Sequence, residues 1–414
     1  MKVWIVNPFD PLPGEPERAG RFADLAYALS EAGHSVVWWT AEFSHRYKRN
    51  VDTNRVRRAG TEHGVDIQCL PVPAYARNIS LRRLWSHRAF GKSLGHAISK
   101  AEPPDVITAS APPLESAVEA TRFGLRNGIP TVVDILDQWP DTFTRGLPRL
   151  AQPFRKVGFH AYYTAERTAY RQATGIVGVA QGYLDRGVEV GGSKKHEAVL
   201  HLGVDLTAFD DAMRRARAQA DRRWIKPSDE TWVIYGGSLS HSYDFETIFQ
   251  AARRAHEVFG KRVRFIIAGD GDLGPHARAL HAALGLDTVS MPGFLPLAEW
   301  ADLLAEADIG LIATFPKALI YMPYKVHDYL AAGVAVLNTL PGECGALVSA
   351  QRCGLNYRAG DADDLFAAIR RVVEHPNERK AMGASARRLA ETVFDRRIIS
   401  KKYVQFLERV AHDR

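Results

Sequence analysis

The chain is poor in cysteine. Among its 414 residues are three, Cys69, Cys344 and Cys353, too few for a disulfide framework and without the spacing of a zinc site. Inert thiols in a reducing compartment are the expected state. No run of 18 consecutive apolar residues occurs, so no segment is expected to span a membrane. The apolar opening Met1–Val6 is too short for a signal peptide and runs into Asn7-Pro8-Phe9-Asp10-Pro11. The fifteen histidines are scattered, with no His-x-x-x-His pair and no Asp/His cluster, so no metal is expected. Compositional bias is lacking too: 46% hydrophobic and 24% charged residues exclude a disordered, collagen-like or disulfide-scaffold protein. The length exceeds what one core supports, and two domains are expected.

What the chain does have is a regional excess of positive charge. Lys and Arg total 54 against 47 acids, a net +7. Between Arg46 and Lys100 twelve cations stand against three acids, Asp52, Glu62 and Asp66, more than the whole excess. No nucleic-acid motif accompanies the patch, so nucleic acid is not an expected partner. Within it, Ser80–Ile98 carries Arg82, Arg83, Arg88 and Lys92 beside Leu81, Leu84, Trp85, Phe90 and Leu94. A basic amphipathic segment with Trp suits an anionic membrane surface; a buried helix face with solvated arginines is the competing reading.

Short apolar runs alternate with helix-length amphipathic segments along the whole chain. Val3–Val6 precedes an expected helix Arg18–Ala32, whose Phe22, Leu25, Ala26 and Leu29 share one face and which Gly33 closes. Ser35–Thr40, Val106–Thr108, Thr131–Ile135 and Gly175–Val179 continue the first series of strands. A second series comprises Thr231–Tyr235, Arg264–Ala268, Thr288–Met291, Ile309–Ala313, Ala335–Asn338 and Gly354–Tyr357. This rhythm predicts an α/β protein with two doubly wound, Rossmann-like halves. Arg186–Asp211, with Gly191-Gly192-Ser193-Lys194-Lys195, reads as the linker, and the arginine-rich Met213–Trp224 as a solvated helix. Such sheets bind ligands at the carboxyl ends of their strands, so a cleft between the halves is the expected site.

Two motifs invite misreading. Gly269-Asp270-Gly271-Asp272-Leu273-Gly274 spells the dinucleotide fingerprint after a strand, but the next strand ends in Met291-Pro292-Gly293 instead of the acid that holds a ribose. NAD is therefore not expected. Gly91-Lys92-Ser93 resembles the end of a phosphate loop, but Ser86 stands where its first glycine belongs.

Three other segments together suggest a sugar nucleotide. Gly14, in Pro11-Leu12-Pro13-Gly14-Glu15, precedes a helix whose N-terminal N–H groups favour phosphate. Tyr235-Gly236-Gly237-Ser238-Leu239 repeats that arrangement after the first strand of the second half. Tight turns explain each as well. In Pro323-Tyr324-Lys325-Val326-His327-Asp328-Tyr329-Leu330-Ala331-Ala332-Gly333, Lys325 and Asp328 are three apart and share a helical face. A Lys there neutralises pyrophosphate and an Asp accepts ribose hydroxyls; a surface ion pair between them is the alternative.

With Asp137-Gln138-Trp139-Pro140, His201-Leu202-Gly203-Val204-Asp205, Ala268-Gly269-Asp270-Gly271 and Ala331–Val336, these segments make the chain resemble the retaining glycosyltransferases of family 4. The Asp-x-Trp-Pro and Pro-x-Lys signatures look most like the branch that builds bacterial surface polysaccharides. The resemblance implies the GT-B fold: an acceptor-binding domain over 1–190, a donor-binding domain over 191–395, and a helix over 396–414 packing back on the first. It implies a UDP- or GDP-sugar donor, a glycan or lipid-linked acceptor, no cofactor, and a cytoplasmic protein, peripheral on the inner membrane if the basic segment docks there. Donor contacts are implied at Gly14, Gly236, Gly237 and Ser238 for the diphosphate, Gly293, Phe294 and Leu295 for the base, and Asp328 for the ribose. The family's first acid would fall at Ile320, and its Arg and Lys after the Gly-Gly turn at Ser238 and Tyr243. The diphosphate-neutralising charge is therefore placed on Lys325, with Arg21 as a second phosphate contact. Asp137 is the candidate for orienting acceptor or sugar, with capping of its own turn as the alternative. Arg82, Arg83, Trp85, Arg88 and Lys92 form the candidate membrane or acceptor face. The competing functions are a nucleotide-sugar epimerase or hydrolase of the same architecture, and a noncatalytic sugar-binding relative.

Overall fold

The computed structural model describes residues 1–13, 20–77, 80–144, 150–219, 221–315 and 318–413. Two compact units share the chain, Met1–Leu202 with Arg396–Arg414, and Gly203–Asp395.

In the first unit seven parallel strands form one sheet. They are β1 (Lys2–Val6), β2 (Ser35–Ala41), β5 (Val65–Leu70), β6 (Val106–Ala111), β7 (Thr131–Ile135), β8 (Gly175–Gly178) and β9 (His196–Val199), in spatial order β5-β2-β1-β6-β7-β8-β9. A short antiparallel hairpin, β3 (Phe43–Ser44) with β4 (Arg49–Asn50), follows β2. Every residue of β6 and β7 is buried, Thr108, Ser110, Thr131 and Asp134 included, since helices cover both faces of the sheet. The boundary expected at 190/191 falls instead after Leu202, because β9 pairs with β8. The Gly/Ser/Lys cluster read as a linker is the turn from the Gln181–Gly191 helix into β9.

The last helix, Arg396–His412, completes this unit's core. Its Ile399, Tyr403, Phe406, Leu407 and Val410 pack with Phe22, Leu25 and Leu29 of the Arg21–Glu31 helix. At about 25 cal/mol per Å² of apolar surface removed from water, each such side chain contributes roughly 1.5–3 kcal/mol.

The second unit repeats the architecture with six parallel strands: β10 (Thr231–Gly236), β11 (Val263–Ala268), β12 (Val289–Gly293), β13 (Ile309–Ile312), β14 (Ala335–Asn338) and β15 (Gly354–Asn356). Their order is β12-β11-β10-β13-β14-β15. The strand order reverses between β10 and β13, which puts the loops leaving these two strands at the topological switch point where such sheets bind ligands. The arginine-rich Met213–Trp224 is not one helix. The Leu206–Ala218 helix stops first, and beyond it Arg222 pairs with Asp302 at 2.8 Å and Glu306 at 2.6 Å.

Both misleading motifs have packing explanations. Gly91-Lys92-Ser93 lies inside the Leu81–Ile98 helix, where a Cβ on Gly91 would stand 3.1 Å from Glu115 Cβ of the adjacent Leu114–Asn127 helix. Through Gly95 the same stretch reads Gly-x-Ser-x-Gly, and a place inside a helix excludes a nucleophile elbow too. In the second unit, Gly269 has φ +142 and any Cβ there would lie 1.8 Å from the Gly237 carbonyl oxygen. The glycine run lets the loops after β10, β11 and β12 bond directly. Gly237 N–H donates to Ala268 O at 3.0 Å, Gly269 N–H to Gly293 O at 2.7 Å, and Leu239 N–H to Asp270 O at 3.0 Å.

Candidate functional site

The second unit assembles most of the expected donor residues around the switch point. Gly236 ends β10, and its N–H donates to the Tyr329 hydroxyl at 3.0 Å. A Cβ on Gly237 would lie 3.1 Å from Lys325 Cε, so the glycine turn is what admits that side chain. Lys325 enters from the first turn of the Tyr324–Ala332 helix, which follows β13. Its ammonium lies 3.7 Å from the ring centre of Tyr235 and 3.6 Å from that of Tyr243. Lys325 is 7% exposed, and its Nζ has no hydrogen-bond partner among the described residues. Burial pulls its pKa well below the ordinary ammonium range, while the negative faces of two aromatic rings favour the cation.

One turn along, half-buried Asp328 accepts a hydrogen bond from Trp300 Nε1 at 3.0 Å. The same indole lies against Gly236, where a Cβ would meet Trp300 Cη2 at 2.2 Å. Lys325 and Asp328 are thus not the surface ion pair of the alternative reading: each is held by aromatic residues from elsewhere in the unit. Gly293 closes β12 with φ +82, Phe294 is 65% exposed and Leu295 is buried. Ser238 is exposed, and its carbonyl accepts from the Tyr235 hydroxyl at 2.7 Å. Ile320, where the family's first acid would stand, packs against the core.

No role in the site was read from the sequence for Tyr235, Tyr243 or Trp300. Tyr243 occupies the place of the family's lysine, and that displacement was the one signal that could have found the cage.

In the first unit the structure assigns other duties to several candidates. Gly14 lies outside the described residues. The helix end beyond it already holds an anion, since Asp10 Oδ2 accepts from Phe22 N–H at 2.6 Å. Burial raises the Asp10 pKa to about 6. Arg21 is buried and donates through Nε to Asp134 Oδ2 at 2.7 Å and through Nη1 to His201 O at 2.7 Å. The guanidinium from which a phosphate contact is expected is thus engaged in an internal ion pair. Asp137 Oδ1 accepts from Gln138 N–H and from the Thr142 hydroxyl, each at 2.7 Å, so it caps its own turn; burial pushes its pKa up.

The Leu81–Ile98 helix divides the basic face. Leu81, Arg82, Trp85, Arg88 and Lys92 are exposed along one side, with Leu81 at 85% and Trp85 at 60%. Arg83 turns inward and lies 5.0 Å over the Trp139 ring, which takes it out of the exposed face. Leu150, Phe154 and Val157 are also exposed, near Lys156. Among the described residues no three His, Cys, Asp or Glu side chains converge as a metal ion would need, and no helix is long and apolar enough to cross a membrane.

Comparison with known proteins agrees with this architecture. Residues 19–203 match the glycosyl transferase 4-like domain, and residues 230–375 match glycosyl transferases group 1. The chain is 29% identical over 268 residues to the alpha-D-kanosaminyltransferase of Streptomyces kanamyceticus, covering 63% of this chain and 65% of that one. It is 28% identical over 217 residues to the amylovoran biosynthesis glycosyltransferase AmsK of Erwinia amylovora, covering 51% of each. The chain thus spans between 51% and 65% of the length of these curated relatives. Among solved structures, Anabaena HepE in complex with UDP superposes with a TM-score of 0.69 at 15% identity, over 99% of this chain and 100% of that one. The two parallel sheets and the two matching domain models, one on each unit, show that the chain belongs to the family 4 glycosyltransferases of GT-B fold.

Proposed function

We propose that this protein transfers a sugar from a nucleotide-sugar donor to a glycan or lipid-linked acceptor, with retention, in the assembly of a bacterial surface polysaccharide. The observation that carries the reading is Lys325, a buried ammonium without a hydrogen-bonding partner among the described residues, set against a glycine turn at the sheet's switch point. Departure of a nucleoside diphosphate concentrates negative charge, and a preorganised cation in a desolvated site stabilises it far better than water does. Lys325 supplies that charge. Gly236, Gly237 and Ser238 leave room for the diphosphate, Asp328 accepts the ribose hydroxyls, and the Gly293-Phe294-Leu295 backbone holds the base. In front-face attack the departing phosphate oxygen accepts the proton of the acceptor hydroxyl, so the reaction needs no strong protein base. HepE was solved with UDP, which supports a nucleotide donor and makes UDP the first ligand to test.

A nucleoside diphosphate that binds the native state raises its stability. Thermal-shift titration with UDP, GDP and ADP is expected to show one base stabilising the protein above the others. No shift with any of them would remove the donor assignment. Product analysis with and without acceptor separates transfer from epimerisation or hydrolysis.

The exposed face of the Leu81–Ile98 helix supports docking on the cytoplasmic surface of an anionic membrane, with Trp85 and Leu81 inserted and Arg82, Arg88 and Lys92 at the headgroups. Flotation with vesicles containing anionic lipid is expected to carry the protein at low salt and to lose it in Trp85→Ala. Wild-type protein that stays at the bottom of the gradient sinks this docking.

A further inference from the structure

The first unit carries a cluster that the donor chemistry leaves unused. Loops leaving four strands of its sheet converge: Phe9 after β1, His45 and Lys48 in the hairpin after β2, Tyr75 after β5, and Asp137 and Trp139 after β7. The Leu81–Ile98 helix adds Arg83 and His87. These are the carboxyl ends of parallel strands, the edge at which such sheets take their ligands.

The cluster is cationic and aromatic. Arg83 lies 5.0 Å over the Trp139 ring and 5.9 Å over Phe9. Lys48 Nζ lies 4.8 Å over the Tyr75 ring and 3.2 Å from His45 Nδ1. Lys48 holds φ +54, a left-handed conformation that non-glycine residues seldom adopt and that concentrates where a side chain must be aimed. His87, 2% exposed, bridges the group: its ring is 5.2 Å from Phe9 and 5.4 Å from Trp139. Its Nδ1 has no hydrogen-bond partner among the described residues.

Burial and then the Arg83 charge lower Lys48 to about 8, and the same two causes bring His45 and His87 to about 3. Positive groups crowded into a partly desolvated place gain most from a negative ligand. Asp137 is the acid that faces Arg83. The two imidazoles stay neutral, and a neutral imidazole both donates and accepts hydrogen bonds, as sugar hydroxyls do.

We infer that this edge of the first sheet binds an anionic group of the acceptor, a phosphate or carboxylate carried on a sugar, with Lys48 and Arg83 as its cations and Trp139 and Phe9 as its apolar walls. The inference rests on the glycosyltransferase reading and narrows it to an anionic acceptor.

Calorimetric titration of the full chain with glucose 6-phosphate, glucuronate and glucose tests it. The three are run with and without a saturating nucleoside diphosphate, which keeps the donor site filled. One of the anionic sugars is expected to bind at least tenfold tighter than glucose, the two arms telling phosphate from carboxylate. That preference is expected to vanish in Lys48→Met and in Arg83→Met. Half-buried Lys48 keeps the test open should Arg83→Met fail to fold. Equal binding of all three sugars, binding of none, or a preference that survives Lys48→Met overturns the inference. Nucleoside diphosphate binding is read in the same samples: its loss beside an intact anion preference counts against the donor site alone.

Discussion

Lys325→Met is expected to abolish the protein's response to nucleoside diphosphates while making the free protein more stable. The two effects have opposite signs because one group causes both. Without ligand, Lys325 Nζ is buried and has no hydrogen-bond partner among the described residues, and an unsatisfied buried polar group costs about 1–3 kcal/mol. Methionine keeps the length and the packing between Tyr235 and Tyr243, where a thioether sits well on aromatic rings. With donor bound, the ammonium meets a diphosphate, and losing one preorganised charge contact of this kind lowers kcat on the order of 10²–10³-fold. Denaturant unfolding measures the first effect, and turnover with the donor identified by thermal shift measures the second.

The pH dependence follows from the same burial. The folded pKa of Lys325 lies well below the ordinary value, which is about 10.4 in an unfolded chain. Between the two values the unfolded chain carries the extra proton, so the stability contributed at this site rises with pH and declines as pH falls toward the folded pKa. Lys325→Met is expected to flatten that slope. A variant that loses stability, or that keeps full activity, would sink the role given to this lysine.

Arg21→Ala should be the most damaging substitution in the first unit, costing about 3–5 kcal/mol. It strips the guanidinium from Asp134, which is 0% exposed and whose carboxylate then keeps, among the described residues, the Tyr403 hydroxyl at 3.0 Å. The large figure reflects the carboxylate left behind, not the worth of the pair. Replacing both partners with apolar residues, Arg21→Met with Asp134→Leu, should therefore recover most of the loss. Denaturant midpoints of the single and double variants decide it; a double variant no better than the single one would mean that packing of Arg21 on Tyr403, 5.1 Å from its guanidinium, matters more than charge.

How legible the fold was depended on where a strand sits. Val3–Val6 of β1, Trp232–Tyr235 of β10 and Ile309–Ile312 of β13 are buried on both faces and read as continuous apolar runs. β5 is an edge strand, and Val65-Asp66-Ile67-Gln68-Cys69-Leu70 mixes buried and exposed positions, which blurs it. β9, at the other edge, begins with His and Glu and was read as part of a linker. The site was legible where its geometry is local. Lys325 and Asp328 share one helix, and Gly236-Gly237 directly follows a strand. What holds them is not local: Tyr235, Tyr243 and Trp300 come from separate segments, and no spacing rule brings them together. The ion pair of Arg21 was hidden for that reason as well, since its partner Asp134 lies 113 residues away.

The membership of Arg396–His412 in the first unit inverts the order in which the two units are finished. The second unit lies wholly within an interruption of the first. A ribosome therefore releases every residue of β10–β15 before it makes Tyr403, whose hydroxyl bonds both Thr108 and Asp134. Domains generally fold as units as they emerge. Here the unit that starts the chain keeps an open apolar face on its Arg21–Glu31 helix throughout synthesis of the other. The half that begins last is the half that can close first.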